Sequence, residues 1–479
     1  MSKFAPRRLD VLLDSGRLFA NGETILLAKD ADRSEARTGA GSSSAGQPGI
    51  RLELKMLSAA MKSKGLSSPS SDVRAPRSRM RVRIFYASAK SPARVFDTRS
   101  LIVDADESYR ILLPGSFDGN HGAQPGTARV AARSADSSVS NSGREGLSRT
   151  YRGRLEIFAE LSLAAVVHTP LQRYVQATAR AELGPLLAST GPTRLEQSAR
   201  AELLSAMETV VRSYALAHRD RHTDHADLCD LTHCMHFPGL LRGERSKPKS
   251  ESGPRMVLIF KDAARVSGAA LAPRDFVPAY FHSTCGGRLV APQEYWPGTK
   301  RPELVGVFRE GRDDLKNNND SPLCSASPHY RWQTRVAHED LRSILTHSQS
   351  QSLSRSLSPG PNAPSHASGR PGVGILDPMR RVGGRVVAIR VGRENELAAS
   401  DFLSHAGRVL GWNAIKSSDF IVEGLPDRSW NFRGRGLGHG VGFCQWGARE
   451  QARLGRSARK ILEFYYPGAR IARLAGGAQ

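Results

Sequence analysis

Gly434-Arg435-Gly436-Leu437-Gly438-His439-Gly440-Val441-Gly442-Phe443-Cys444-Gln445-Trp446-Gly447-Ala448 stands apart from the rest of the chain. The alternate glycines Gly434, Gly436, Gly438, Gly440 and Gly442 take side chains away from a strand-like segment, so another backbone or a ligand can approach it closely. A phosphate loop is excluded: the dinucleotide pattern needs Gly-x-Gly-x-x-Gly between strand and helix, and no Lys-Ser/Thr pair follows as a P-loop requires. His439, Gln445 and Trp446 remain as groups that either face a groove or tie the loop down.

Working outward, the clearest helix covers residues 194–218. There Leu195, Ala199, Leu203, Met207, Val210, Tyr214 and Ala217 recur at three- and four-residue spacing and predict a core-facing stripe. Thr193 and Glu196 make a Thr-x-x-Glu capping box for its first free N–H groups. A second helical stretch begins near Tyr174 and ends in Glu182 before a Gly184-Pro185 break. A carboxyl at a helix end, beside a bend and among apolar neighbours, can be kept protonated for general acid work. The same position also suits a solvated surface group.

Residues 9–28 alternate Val11-Leu12-Leu13 and Thr24-Ile25-Leu26-Leu27 with Gly and Asn turns, predicting a strand pair. Further strands are predicted at Arg81-Val82-Arg83-Ile84-Phe85-Tyr86, at residues 100–104, at 109–113 and at Tyr151-Arg152-Gly153-Arg154-Leu155-Glu156-Ile157-Phe158. Residues 30–71, broken mainly by Ile50-Arg51-Leu52-Glu53-Leu54, read as linker or long loop, as do residues 132–148. Residues 348–374 carry Ser, Pro and Gly with few apolar groups and cannot bury enough surface to order themselves, so they read as a disordered insertion. The expected fold class is α+β. A β-rich N-terminal region would occupy 1–150, a mixed helical and stranded domain 151–470, and a tail 471–479.

The excess of 69 Lys+Arg over 46 Asp+Glu gives a formal charge of +23, enough to attract an anionic polymer. Nucleic acid, anionic lipid and bacterial wall polymers all fit that charge. No helix-turn-helix, RNA-recognition or finger pattern accompanies it, so specific nucleic-acid reading is not expected. No run approaches the roughly 18 apolar residues that span a bilayer. Met1-Ser2-Lys3-Phe4-Ala5-Pro6-Arg7-Arg8 has charge but no apolar stretch after it, which predicts, for the sequence as written, a soluble chain without a signal peptide. Cys229, Cys234, Cys285, Cys324 and Cys444 are too sparse, and odd in number, for a disulfide scaffold.

The segment His222-Thr223-Asp224-His225-Ala226-Asp227-Leu228-Cys229-Asp230-Leu231-Thr232-His233-Cys234-Met235-His236 concentrates imidazoles and thiols. A Cys2His2 set fills a closed tetrahedral zinc site. A Cys229–Cys234 disulfide, or two unlinked thiols, is the other reading. His282-Ser283-Thr284-Cys285-Gly286-Gly287 and Tyr295-Trp296-Pro297 set a small hydroxyl-bearing turn beside an aromatic, an arrangement that can hold a sugar; a tight turn with a buried Trp fits equally. No nucleophile elbow surrounds Ser283.

Together and in this order these strings resemble the stage II sporulation protein D family, which includes amidase-enhancer proteins. The matching parts are residues 171–185, Val211-Arg212-Ser213-Tyr214-Ala215-Leu216, and residues 227–234, 280–287, 324–332 and 436–448. Ile461-Leu462-Glu463-Phe464-Tyr465-Tyr466-Pro467-Gly468 follows them. Gly184 stands where the family often has a residue such as Met before the Pro.

The resemblance implies a peptidoglycan-directed lytic transglycosylase that cleaves glycan strands lacking stem peptides and leaves 1,6-anhydromuramic ends, with Glu182 as its catalytic acid. Its alternative is a non-catalytic wall-binding protein that enhances an amidase or another wall hydrolase. It further implies structural zinc on Cys229, His233 and Cys234, with His225 or His222 as fourth ligand, and a location in the periplasm or cell envelope. A groove for the glycan would draw on Arg212, Ser213, Tyr214, His282, Ser283, Trp296, His439 and Gln445, with Arg212 and His439 orienting the polymer.

Overall fold

The computed structural model describes residues 8–13, 16–21, 23–27, 50–57, 79–86, 92, 94–112, 148–159, 163–188, 193–219, 221–222, 226–229, 234–239, 255–265, 271–296, 301–312, 320–345, 376–382, 384–391 and 395–474. The protein is α+β and divides into two compact units. One comprises Met1–Ala177, Asp224–Ala226 and Phe237–Lys249; the other comprises Thr178–Thr223, Asp227–His236 and Ser250–Gln479.

The first unit is an antiparallel sheet of β1 (Arg8–Leu13), β2 (Gly16–Ala20), β3 (Glu23–Leu27), β4 (Ile50–Leu57), β5 (Arg79–Tyr86), β6 (Arg94–Thr98), β7 (Ser100–Leu112), β8 (Ser148–Ala159) and β9 (Leu163–Val167). The order is β3-β2-β7-β1-β4-β5-β6, with β8 paired to β7 and β9 to β8. Its sequence alternates as a sheet with one buried face requires. Leu52 and Leu54 lie opposite Ile84 and Val82, all four buried, while Arg81 points out and pairs with Asp97 at 2.9 Å.

Four expectations change here. Residues 50–57, expected as a brief interruption of a linker, form β4 between β1 and β5, because their alternation supplies a buried row to both neighbours. Residues 9–28 form three strands rather than two, and the predicted strands at 100–104 and 109–113 are one strand with a register shift between Asp104 and Ser108. The 150/151 boundary falls inside β8. Residues 348–374, and those parts of 30–71 and 132–148 outside β4 and β8, lie outside the described residues.

The second unit takes α1 (Leu171–Glu182) from Thr178 onward, then α2 (Gly184–Ala188) and α3 (Arg194–Ala217). The capping box of α3 is present: Thr193 Oγ1 accepts from Glu196 N at 3.3 Å, and Thr193 N donates to Glu196 Oε2 at 3.2 Å. The predicted stripe is only half realised. Leu195 is 69% exposed, whereas every residue from Thr209 to Leu216 is buried. The second half of α3 is enclosed by β10 (Met256–Phe260) and by the helices Gln445–Arg453 and Ala458–Tyr465, so burial there goes all round the helix. β10 pairs with the strand Ala469–Arg473, which takes residues 471–473 out of the expected tail.

β11 (Phe281–His282) runs parallel to the short strand Phe443–Cys444, setting His282 against Cys444. This pairing lays the glycine string along residues 280–284. Between Arg435 and Phe443 the string is a loop whose alternate glycines take positive φ, 78° at Gly436 and 71° at Gly442. A Cβ at Gly436 would sit 2.6 Å from Thr284 O, and one at Gly442 would run into Tyr280 O. The close approach foreseen from the glycines is therefore made by a neighbouring backbone. No helix among the described residues is long and apolar enough to cross a membrane.

Candidate functional site

Glu182 closes α1, and Gly184-Pro185 opens α2, where a Pro lacking its N–H costs nothing in the first turn. The break leaves the Glu182 carboxyl half-buried beside the segment that ends in His236. His236 N donates to Glu182 Oε1 at 2.8 Å, and Gln445 Nε2 donates to the Glu182 backbone oxygen at 3.4 Å. Burial raises the proton affinity of the carboxyl; the His236 N–H and the Gln445 side chain pull it back without cancelling the rise. Among the described residues, no neighbouring carboxylate shifts it.

The same short segment carries thiols. His222, Cys229 and Cys234 hold their donor atoms within 4.8 Å of one another, with His222 Nε2 3.3 Å from Cys234 Sγ. Two thiols and an imidazole at that spacing fit three corners of a zinc tetrahedron. Hydrogen bonding to Cys229 and burial push the Cys234 thiol far up, so a cation is what would draw off its proton. Among the described residues, His222 is the histidine that lies at the thiols; His225 and His233 lie outside the described residues. Cys234 is only two residues from His236, so whatever fixes the thiols also fixes the N–H on Glu182.

Arg212, Ser213 and Tyr214 are buried rather than set along a groove. Arg212 Nη1 donates to Met256 O at 2.8 Å, and Ser213 Oγ donates to Thr209 O at 2.6 Å while accepting from Leu258 N at 2.8 Å. These bonds tie α3 to β10. The hydroxyl of Tyr214 accepts from Arg221 at 3.0 Å, and its ring stacks on His218. They are core residues because the second half of α3 has neighbours on every side.

Partly exposed rings gather elsewhere in this unit. Trp296 lies 4.9 Å from Tyr280 and 5.2 Å from His439, centre to centre, and Tyr295 lies 4.9 Å from Trp296. His439 accepts from Val441 N at Nδ1, 3.0 Å, and burial with the nearby Arg385 cation takes its pKa down to about 3. It is a neutral ring with a fixed tautomer. His282 is 4% exposed, and Gln445 is also buried. Trp446 N donates to Ser283 O at 3.1 Å, so the start of the helix Gln445–Arg453 is bonded through adjacent residues to Glu182 and to Ser283.

Tyr280, Tyr295, Arg221 and Arg385 were not singled out from the sequence. The two tyrosines had a signal, since each lies in or beside a quoted string. Arg385 had none: it sits in an ordinary apolar strand, Arg385–Val391, and becomes notable only because its guanidinium is enclosed.

No family model matches the chain. Over 196 residues, 41% of this chain and 43% of the relative, it is 26% identical to an uncharacterized protein of Brachyspira hyodysenteriae. Over 63 residues, 13% of this chain and 9% of the relative, it is 35% identical to a Bacillus subtilis protein named "Amidase enhancer". The chain thus matches less than half the length of either curated relative.

Proposed function

We propose that the chain acts on the glycan strands of bacterial peptidoglycan as a lytic transglycosylase of the stage II sporulation protein D type, with Glu182 as its acid. The observation that carries this reading is a half-buried carboxyl, its proton affinity raised by burial, held by the His236 N–H, with no second carboxylate among the described residues shifting it. Hydrolysis by an ordinary glycosidase needs two carboxyl groups. Transglycosylation needs one, used twice.

Protonated Glu182 gives its proton to the glycosidic oxygen as the bond from that oxygen to the muramic acid C1 breaks. The sugar passes through an oxocarbenium-like state. The carboxylate then takes the proton of the same sugar's C6 hydroxyl, whose oxygen closes on C1. Glu182 ends as it began, and no water is consumed. The rings of Trp296 and Tyr280 supply a face on which a sugar can stack. Cys229, Cys234 and His233 would hold a structural zinc ion, with His222 as the fourth ligand. When bound, zinc would supply rigidity to the segment leading to His236. The net positive charge of +23 favours an anionic wall polymer, and such a role places the protein in the cell envelope.

The test is mass spectrometry of products from peptide-stripped glycan strands incubated with the protein and with Glu182→Gln. Anhydro-ended fragments from the first and none from the second are expected. Intact strands with both would overturn the enzymatic reading.

The similarity to an amidase enhancer favours a second reading, a wall-binding protein that stimulates an amidase without cutting glycan. In that case Glu182→Gln binds wall and stimulates the amidase as well as the unmodified chain does.

A further inference from the structure

A second set of soft donors lies in the core of the same unit, with no ligand in common with the first. His282, Cys285 and Cys444 place their donor atoms within 4.8 Å of one another, and Cys324 Sγ lies 3.5 Å from Cys285 Sγ. All four residues are buried, none more than 4% exposed. Three separate pieces of chain meet here: β11 with the turn after it, the loop containing Cys324, and the end of the glycine string.

Three features of this centre are unexplained by packing. The first is the imidazole. His282 Nδ1 lies 3.0 Å from Val441 O and donates to it, which leaves the lone pair on Nε2, and that buried atom has no hydrogen-bond partner. An orphaned buried acceptor is costly. A ring nitrogen fixed by a carbonyl on its far side is also how a metal-binding histidine is oriented.

The second is the thiol spacing. Cys285 and Cys324 at 3.5 Å are not disulfide-bonded. Zn–S bonds of about 2.3 Å set sulfurs about 3.8 Å apart on a tetrahedron. Cys285 N also points at Cys444 Sγ, 3.4 Å away, a donor suited to a thiolate.

The third is charge. Arg385 is 2% exposed, and its guanidinium donates to Cys285 O at 3.1 Å and Gly438 O at 3.2 Å, while its Nε has no partner. The carboxylate acting on it, Asp419, is bridged to Arg435 at 3.2 Å. A buried cation without a bonded anion is expensive. Three thiolates around a divalent ion carry one net negative charge, which balances Arg385.

We propose that His282 Nε2 and the thiolates of Cys285, Cys324 and Cys444 bind one zinc ion in a closed tetrahedral site that staples the glycine string to β11 and the Cys324 loop. Thiolate and imidazole donors select zinc over the hard cations, and a closed site of four protein ligands is a structural one. On binding, the three thiol protons leave to solvent. This site does not depend on the enzymatic reading, nor on zinc at His222, Cys229 and Cys234.

The test counts zinc in the purified full chain and in Cys229→Ser/Cys234→Ser, and reads the zinc-edge X-ray absorption of the variant. The expected result is one equivalent retained by the variant, with three sulfurs and one nitrogen around it. No retained zinc, a shell without that sulfur count, or a Cys285–Cys324 disulfide in the unreduced protein would overturn the site. Should the double variant fold poorly, Cys324→Ser alone decides: loss of one equivalent relative to the unmodified chain supports the site, and an unchanged count overturns it.

Discussion

Two clusters of cysteine and histidine occupy one compact unit, and they differ in what surrounds them. Around His222, Cys229 and Cys234 two of the three residues are partly open, and the segment goes on to give its N–H to a half-buried carboxyl. Around His282, Cys285, Cys324 and Cys444 all four residues are buried, and the buried Arg385 donates to Cys285 O. On the proposed reading the same side-chain types serve different ends. Beside the partly open cluster, Glu182 would exchange a proton with a substrate. In the enclosed cluster, the donors would hold the chain together around an ion.

The largest predicted change is at Glu182, the proposed acid. Glu182→Gln keeps the size and the acceptor for His236 but cannot donate a proton as an acid, so cleavage of stripped glycan falls by about 10²–10⁴-fold, measured as anhydro ends per unit time. Next comes the link between thiols and acid. In Cys229→Ser/Cys234→Ser the His236 N–H loses its anchor, and cleavage drops by up to about 10²-fold, the scale of a misplaced catalytic group. An equal or greater loss than for Glu182→Gln would mean that the metal segment, not the acid, dominates.

On the enclosed side, Arg385→Met removes the cation beside Cys285. Zinc affinity of that centre should fall by about 10–100-fold in a competition titration, as for the loss of other groups around a metal's ligands. The zinc held by the variant at the open cluster is expected to be unchanged.

The pH dependence sharpens the contrast further. The Glu182 carboxyl has its proton affinity raised in the folded state by burial, so its protonated form is favoured by folding, and that advantage is lost as pH rises through the raised value. Cleavage should accordingly fail on the alkaline side of this titration. Gln445→Leu removes a donor that favours the carboxylate, moving that limb to higher pH. By the same linkage, Glu182→Gln should melt higher than the unmodified chain above the ordinary carboxylate range and lose the advantage in acid. The smallest effect lies outside both clusters: Thr193→Ala, which removes the α3 cap, should cost about 1 kcal/mol in denaturant unfolding.

Much of this arrangement was legible in the sequence wherever a local rule governs it. The Thr193–Glu196 box, the Glu182 helix end before Gly184-Pro185 and the alternation in β5 each follow from spacing within a few residues. Burial was not legible, because it depends on what arrives from far along the chain. Arg212 sits on a helix whose sequence leaves one side polar enough for a groove, yet β10 and two C-terminal helices close over it. Likewise, Cys285, Cys324 and Cys444 are separated by 39 residues and more: the pairing of β11 with the strand after the glycines brings Cys285 to Cys444, and Cys324 arrives on a separate loop. The glycine string is a place of close approach, as its composition predicts, but it is a strand only at Gly434-Arg435 and Phe443-Cys444, because the positive φ between them leaves no trace in a sequence beyond the glycine itself.

Cutting of the glycan by one carboxyl, Glu182, without water is the proposed reaction. It is tested by running the reaction on peptide-stripped strands in heavy-oxygen water and weighing the new ends. Anhydro ends without heavy oxygen, formed by the unmodified chain and not by Glu182→Gln, are expected. Reducing ends carrying the heavy isotope, or equal cutting by the variant, would contradict it.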